Sequence, residues 1–150
     1  MTNLPNVGII ISNYNYGRYV INAIDSALSQ KYEGEIRVCV VDDGSSDDSW
    51  EKICSITDKK ETIRVAQCYD GDVEFRQKDN LYAYRIDNCG ASVARNVGLY
   101  CFWDWAHIFG ILDADDEYYQ DKVDILTEKL MEHPELGVTY ADYDIHRTFN

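Results

Sequence analysis

Four polar clusters in this sequence carry the residue types that metal and phosphate chemistry requires, and three of them directly follow an apolar run. Asp113, Asp115 and Asp116 come after His107–Leu112. Hard carboxylate oxygens suit Mg2+ or Mn2+, which commonly share one or two protein carboxylates with waters and a substrate's phosphates. Asp42 and Asp43 close the run Ile36–Val41, where a carboxylate could accept a hydrogen bond from a pyrimidine N3–H or a ribose hydroxyl. Ser12 and Tyr14 follow Val7–Ile11, and Tyr14 offers an aromatic face to a base. Asn88–Gly90, with Arg95 and Asn96 behind it, sets a glycine where a loop becomes a helix and a cation one turn further on. That arrangement could serve a phosphate or simply pair with one of the many acids. Each cluster taken alone also fits a plainer role, as a solvated turn or as capping residues for the helix that follows.

The elements that must position these clusters are legible from periodicity. Val7–Ser12 and Ile36–Val41 are continuous apolar runs, the mark of strands buried on both faces. Val20, Ile21, Ile24, Ala27 and Leu28 fall on one helical stripe, and a second helix runs through Trp50, Ile53 and Cys54. Thr62–Ala66 reads as a third strand, and Gln67–Leu81, polar and without period, as a long loop or lid. A helix beginning near Gly90 carries Ala94, Val97 and Cys101. His107–Leu112 is a fourth strand, Val123, Leu126 and Leu130 mark a last helix, and Gly137–Tyr140 reads as a short final strand. Strands alternating with helices predict a three-layer α/β sandwich with a mostly parallel sheet. In such sheets ligands lie beyond the carboxyl ends of the strands, where the clusters fall.

The 150 residues make one domain's worth of chain. Fourteen Lys and Arg against 27 Asp and Glu leave a net charge of −13, which argues against nucleic-acid and anionic-membrane partners. It also means that a phosphorylated ligand needs a cation or a nest of backbone N–H groups. Five cysteines, an odd number without a CxxC pair, fit a reducing compartment, and with no signal peptide or apolar span the expected location is cytoplasmic. P-loop and dinucleotide glycine motifs are missing, as are HExxH and G-x-S-x-G. A phospho-receiver would want acids after the first strand, where Ser12 and Asn13 stand instead.

Taken in order, IISNYNYGRYVINAIDSALSQ, VVDDGSSDDSW, NCGASVARNVGL and ILDADDEY resemble the nucleotide-binding half of a family 2 glycosyltransferase with the GT-A, Rossmann-like fold. The resemblance spans about residues 7–142. It implies a nucleotide-diphosphate sugar donor, a UDP-sugar above all, with Mn2+ or Mg2+ and inversion at the anomeric carbon. By that likeness Tyr14 packs on the base, Ser12 lines its pocket and Asp43 bonds it. Asp113 faces the ribose or the metal, Asp115 contacts the metal bridging the diphosphate, and Arg95 contacts the donor. The stretch 67–81 is longer than usual, Tyr100–Trp105 replaces small residues, and Gln120 stands where proline is usual. The likeness further implies that the catalytic base and acceptor site lie beyond Asn150, so the 150 residues are expected to bind donor without transferring sugar. Asp142 and Asp144 match no base motif. The acceptor, whether glycan, lipid or protein, is open, and a truncated sheet edge would favour a homo-oligomer. The alternative reading is a non-catalytic nucleotide-binding module serving a partner chain. A sugar-1-phosphate nucleotidyltransferase would want a Gly-rich basic loop after its first strand, and SNYNYGR is a poor one.

Overall fold

The two longest apolar runs become neighbouring central strands, and everything else is arranged around them. The computed structural model describes residues 4–64 and 68–145. In chain order the elements are β1 (Val7–Asn13), α1 (Val20–Leu28), β2 (Ile36–Asp43), α2 (Ser49–Ser55), β3 (Lys59–Arg64), β4 (Asp72–Lys78), β5 (Leu81–Ile86), α3 (Ala91–Cys101), β6 (Ile108–Asp113) and α4 (Lys122–Glu132). They build one six-stranded sheet in the order β3-β4-β5-β2-β1-β6. β5, β2, β1 and β6 are parallel, with Ile10 opposite both Cys39 and Ile111. β3 and β4 join antiparallel at one edge.

Alternation along the central strands divides the interior in two. Ile9 and Ile11 of β1, with Val38 and Val40 of β2, pack under α1, α2 and the start of α4. Ile10, Cys39 and Val41 point the other way, against Ala94 and Val97 of α3 and Phe102 just beyond it. A run apolar at every position is what a strand covered on both faces needs. The result is the expected α/β sandwich of three layers.

Three expectations need correction. The polar stretch 67–81 is not a loop throughout, because it contains β4, joined to β5 by the two-residue turn Asp79–Asn80 with Asp79 at φ +49. Val73 and Phe75 are buried in the core while Glu74 and Arg76, on the opposite face, are half-buried, a period of two that rests on only two apolar residues. The third strand is Lys59–Arg64 rather than Thr62–Ala66, whose last two positions lie outside the described residues. It is charged and exposed nearly throughout, as suits an edge that must not recruit other strands. Gly137–Tyr140 forms no strand and lies open to solvent. β5, inside no predicted element, supplies a whole parallel neighbour to β2.

α3 approaches β1 closely because Gly98 has no side chain. A Cβ there would stand 2.3 Å from Ile10 Cγ2. Alanine gains about 1 kcal/mol of helix propensity over glycine, but overpacking a rigid β-branched neighbour costs about 1–3 kcal/mol. Gly98→Ala is therefore expected to be destabilising by urea denaturation, and Gly98→Val more so. Unchanged or raised stability would show that the helix can step away from the sheet at no cost.

Candidate functional site

The carboxyl ends of β1, β2, β5 and β6 share one rim, and the loops leaving them are sewn together by side chains. At the centre stands Asp42, wholly buried at the end of β2. Its Oδ1 accepts from Asn13 Nδ2 at 2.7 Å, and its Oδ2 accepts from the Ser45 N–H at 3.2 Å. Arg85 of β5 sets its Nε 3.6 Å from Asp42 Oδ2, donates Nη2 to the Ser45 carbonyl at 3.0 Å, and lies over the Trp50 ring. A buried carboxylate is tolerated only when neighbours replace its water this fully.

From this anchor the β1–α1 and β2–α2 loops lock reciprocally. The Asn15 N–H donates to Ser45 Oγ at 2.9 Å, and Asn15 Oδ1 accepts the Ser46 N–H at 2.8 Å. Asn15 holds φ +60 to do so, a conformation asparagine tolerates better than most. The Gly17 N–H donates to Asp47 Oδ2 at 2.8 Å, and Lys52 Nζ returns a bond to the Gly17 carbonyl at 2.8 Å. Burial works against ionisation of Asp47, but hydrogen bonds from Ser49 and Gly17 outweigh it and hold its carboxyl below the usual range. Between Asn13 and Asn15, Tyr14 projects its ring outward, 48% exposed. Ser12 stands in register with Asp113.

Asp43 faces the opposite layer. Its Oδ1 accepts the Cys89 N–H and its Oδ2 the Gly90 N–H, each at 2.8 Å, while Asn88 Nδ2 donates to its carbonyl at 3.1 Å. The N–H groups of Cys89 and Gly90, just before α3, are thus spent on Asp43. Each carboxylate oxygen keeps a second acceptor position. Gly44, at φ +69, lets the chain pass Asn88, whose N–H nitrogen would lie 2.8 Å from any added Cβ.

One turn into α3, Arg95 Nη2 meets Asp113 Oδ1 at 2.6 Å. Its Nε is buried and has no hydrogen-bond partner among the described residues. The carboxylates beside it sense one another: burial first, then the charges of Asp115 and Asp113, push the Asp116 carboxyl upward. Burial, followed by the charges of Asp113 and Asp116, pushes Tyr118 to about 12, so its hydroxyl stays protonated and donates to the Ile111 carbonyl at 2.6 Å. Among the described residues no three His, Cys, Asp or Glu side chains form a ready metal cage.

All six positions singled out in the sequence, Ser12, Tyr14, Asp43, Arg95, Asp113 and Asp115, therefore fall on one rim, and Arg95 and Asp113 touch. Asp144 is elsewhere. It accepts from the Tyr119 hydroxyl at 2.7 Å, beside Gln30 past the far end of α1. The sequence reading missed Asn13, Asn15, Ser45 and Arg85, which build the rim without projecting from it.

A family description built for glycosyl transferase family 2 matches residues 8–148. The chain belongs to that family. Among its relatives, a Rickettsia prowazekii protein described as an uncharacterized glycosyltransferase is 34% identical over 120 residues, 80% of this chain and 30% of the relative. The Pasteurella multocida chondroitin synthase is 26% identical over 138 residues, 92% of this chain and 12% of the synthase. Crystal structures of S. aureus TarS share the fold at 22% identity and a TM-score of 0.61, over 86% of this chain and 33% of theirs, and one holds UDP. The chain thus spans under a third of the length of either of these relatives. No described helix is long and apolar enough to cross a membrane.

The family 2 rim makes Asp43 a structural clasp before any ligand arrives. In Asp43→Asn one oxygen becomes an amide donor facing a backbone N–H, so a bond is lost and a buried donor is left unpaired, at about 1–3 kcal/mol. Urea denaturation of the unliganded chain should register that loss. Wild-type stability in the variant would mean that the clasp contributes nothing.

Proposed function

We propose that this rim binds a nucleotide-diphosphate sugar, a UDP-sugar in first place, for metal-assisted inverting transfer to a hydroxyl on a glycan, lipid or protein. The observation that carries the reading is the convergence, in a family 2 chain, of an exposed aromatic ring, a clasped carboxylate and an acidic knot faced by one arginine. Residues 1–150 serve in it as one donor-binding domain. Tyr14 stacks on the base and Ser12 lines the pocket floor. Asp43 accepts the base N–H through the acceptor positions its backbone donors leave unused. Arg95 keeps Asp113 in place and turns its unpaired Nε toward an anion, which is what a diphosphate beside the knot would present.

Asp113 and Asp115 are the residues that would hold a divalent cation. Their oxygens are of the hard type that Mg2+ and Mn2+ prefer, and burial first, then the charges of Asp115 and Asp113, work against ionisation of Asp116, so positive charge there would be stabilising. Bound there, the ion would neutralise the diphosphate and its developing charge as a leaving group. With two carboxylates from the protein, the ion's other ligands would come from water and the phosphates. Five cysteines, none of them in a disulfide, support a reducing, cytoplasmic setting for the reaction.

Calorimetry with UDP is expected to show binding in Mn2+ and much weaker binding in EDTA. Asp115→Asn keeps the shape, removes a charged ligand and should lower affinity in Mn2+ roughly 10–100-fold, a loss of about 1.4–2.8 kcal/mol. Equal affinity with and without metal would overturn the metal bridge while leaving nucleotide binding intact. A chain that binds UDP in neither condition would overturn the donor site.

A further inference from the structure

The stretch before β4, expected from sequence to be part of a loop or lid, sends one side chain to the rim. Tyr69 is 9% exposed and belongs to the core on the α3 side of the sheet. Its hydroxyl oxygen accepts the Asp87 N–H at 3.0 Å. Asp87 opens residues 87–90, the link between β5 and α3, which has no regular secondary structure. The N–H groups of Cys89 and Gly90 go to the two oxygens of the Asp43 carboxylate, and Asn88 Nδ2 donates to the Asp43 carbonyl. Three of the four N–H groups of the link are therefore received by side chains, the last two by Asp43 and the first by Tyr69. Gly71 makes room for the tyrosine. A Cβ there would stand 2.5 Å from Tyr69 Cε1 and 2.8 Å from the hydroxyl oxygen.

We propose that Tyr69 is a positioning residue of the nucleotide site, through which the stretch before β4 governs how tightly the base is held. The proposal rests on the donor reading above, in which Asp43 accepts the base N–H. A carboxylate clasped by two backbone N–H groups is oriented only as well as those groups are. A short link outside helix and strand drifts unless its polar groups are engaged. Tyr69 touches no ligand in this scheme; it acts through residues 87–90 on Asp43. Without the hydroxyl the Asp87 N–H would lose its acceptor. The link would then loosen, and the Cys89 and Gly90 N–H groups would hold Asp43 less firmly. The damage falls on the base end of the site, because the acidic knot is tied to α3 separately through Arg95 and Asp113.

Two variants attack the same hydrogen bond from opposite sides. Tyr69→Phe keeps the ring and removes only the acceptor, whereas Gly71→Ala keeps the hydroxyl and displaces the ring. Amide hydrogen exchange of the unliganded chains is followed by NMR at Asp87, Cys89 and Gly90, and UMP and UDP affinities are measured by calorimetry in Mn2+. In the wild-type chain the Asp87 amide should exchange as slowly as those of Cys89 and Gly90. In both variants all three should exchange several-fold faster. UMP and UDP affinities should fall by the same factor, roughly 3–10-fold, the worth of about one hydrogen bond. A general loss of stability gives a different pattern: faster exchange throughout the chain, with the affinity of the folded majority unchanged. Unchanged exchange at Cys89 and Gly90 in Tyr69→Phe would overturn the proposal. So would faster exchange there with nucleotide affinity unchanged, or a wild-type Asp87 amide that exchanges freely, a result that requires no variant to fold. A wild-type chain that binds neither UMP nor UDP would instead overturn the donor reading, and exchange at the link would still decide whether Tyr69 anchors it.

Discussion

A single buried carboxylate sets the terms for this structure. Asp42 lies wholly inside, at the point where β2 ends and the loops of the rim begin. Removing a carboxylate from water costs several kcal/mol unless hydrogen bonds and a counter-charge replace its hydration. Asn13, the Ser45 N–H and Arg85 do so, and each comes from a different segment. Satisfying Asp42 therefore brings β1, the β2–α2 loop and β5 into one geometry. The six-residue β1–α1 loop and the five-residue β2–α2 loop would otherwise sample many conformations, and Tyr14 would have no fixed orientation.

Its neighbour Asp43 performs the complementary task on the other face of the sheet. Successive residues of a strand point in opposite directions, so the pair Asp42–Asp43 reaches both helical layers from one place. Asp42 organises the side of α1 and α2, and Asp43 secures the start of α3. Arg95 continues the chain of contacts to Asp113 on β6. The rim is thus closed from β5 to β6 through polar bonds alone, above two apolar cores that fix the strands beneath it.

The parallel half of the fold was legible because burial on both faces leaves an unmistakable sequence mark, as in Val7–Ile11 and Val38–Val41. α1 was legible from its stripe. The antiparallel half was not. β4 shows its alternation through Val73 and Phe75 only, and β3 is exposed enough to carry almost any polar residue. β5 was hidden because Tyr82, Tyr84 and Arg85 break an apolar run, although Tyr84 is buried and Arg85 turns inward to Asp42. The polar clusters that frame the candidate site could be read, since chemistry restricts their residue types. Their supports, Asn13, Asn15 and Ser45, could not, because side chains that serve a backbone N–H look the same in sequence as any surface loop. Asp42 and Asp43 were both noticed, but a sequence does not say that one is spent inward and the other on a helix start.

The stretch between the acidic knot and α4 follows a ruler. Asn22, Ser26 and Gln30 stand four residues apart, on one stripe of α1 and its continuation. Asn22 bonds Glu117, Ser26 takes the Tyr118 N–H, and Gln30 spans the Tyr119 carbonyl and the Val123 N–H. The three α1-side groups lie about one helical turn apart and take their partners in chain order, so the segment is tied down along the length of α1. Length is then what this segment must preserve. Polar residues along it can be exchanged for others that bond equally well, but one inserted or deleted residue would put every rung below it out of step. Evolutionary drift here should appear as substitution without change of spacing, in contrast to the β3 edge, where the chain is free to lengthen.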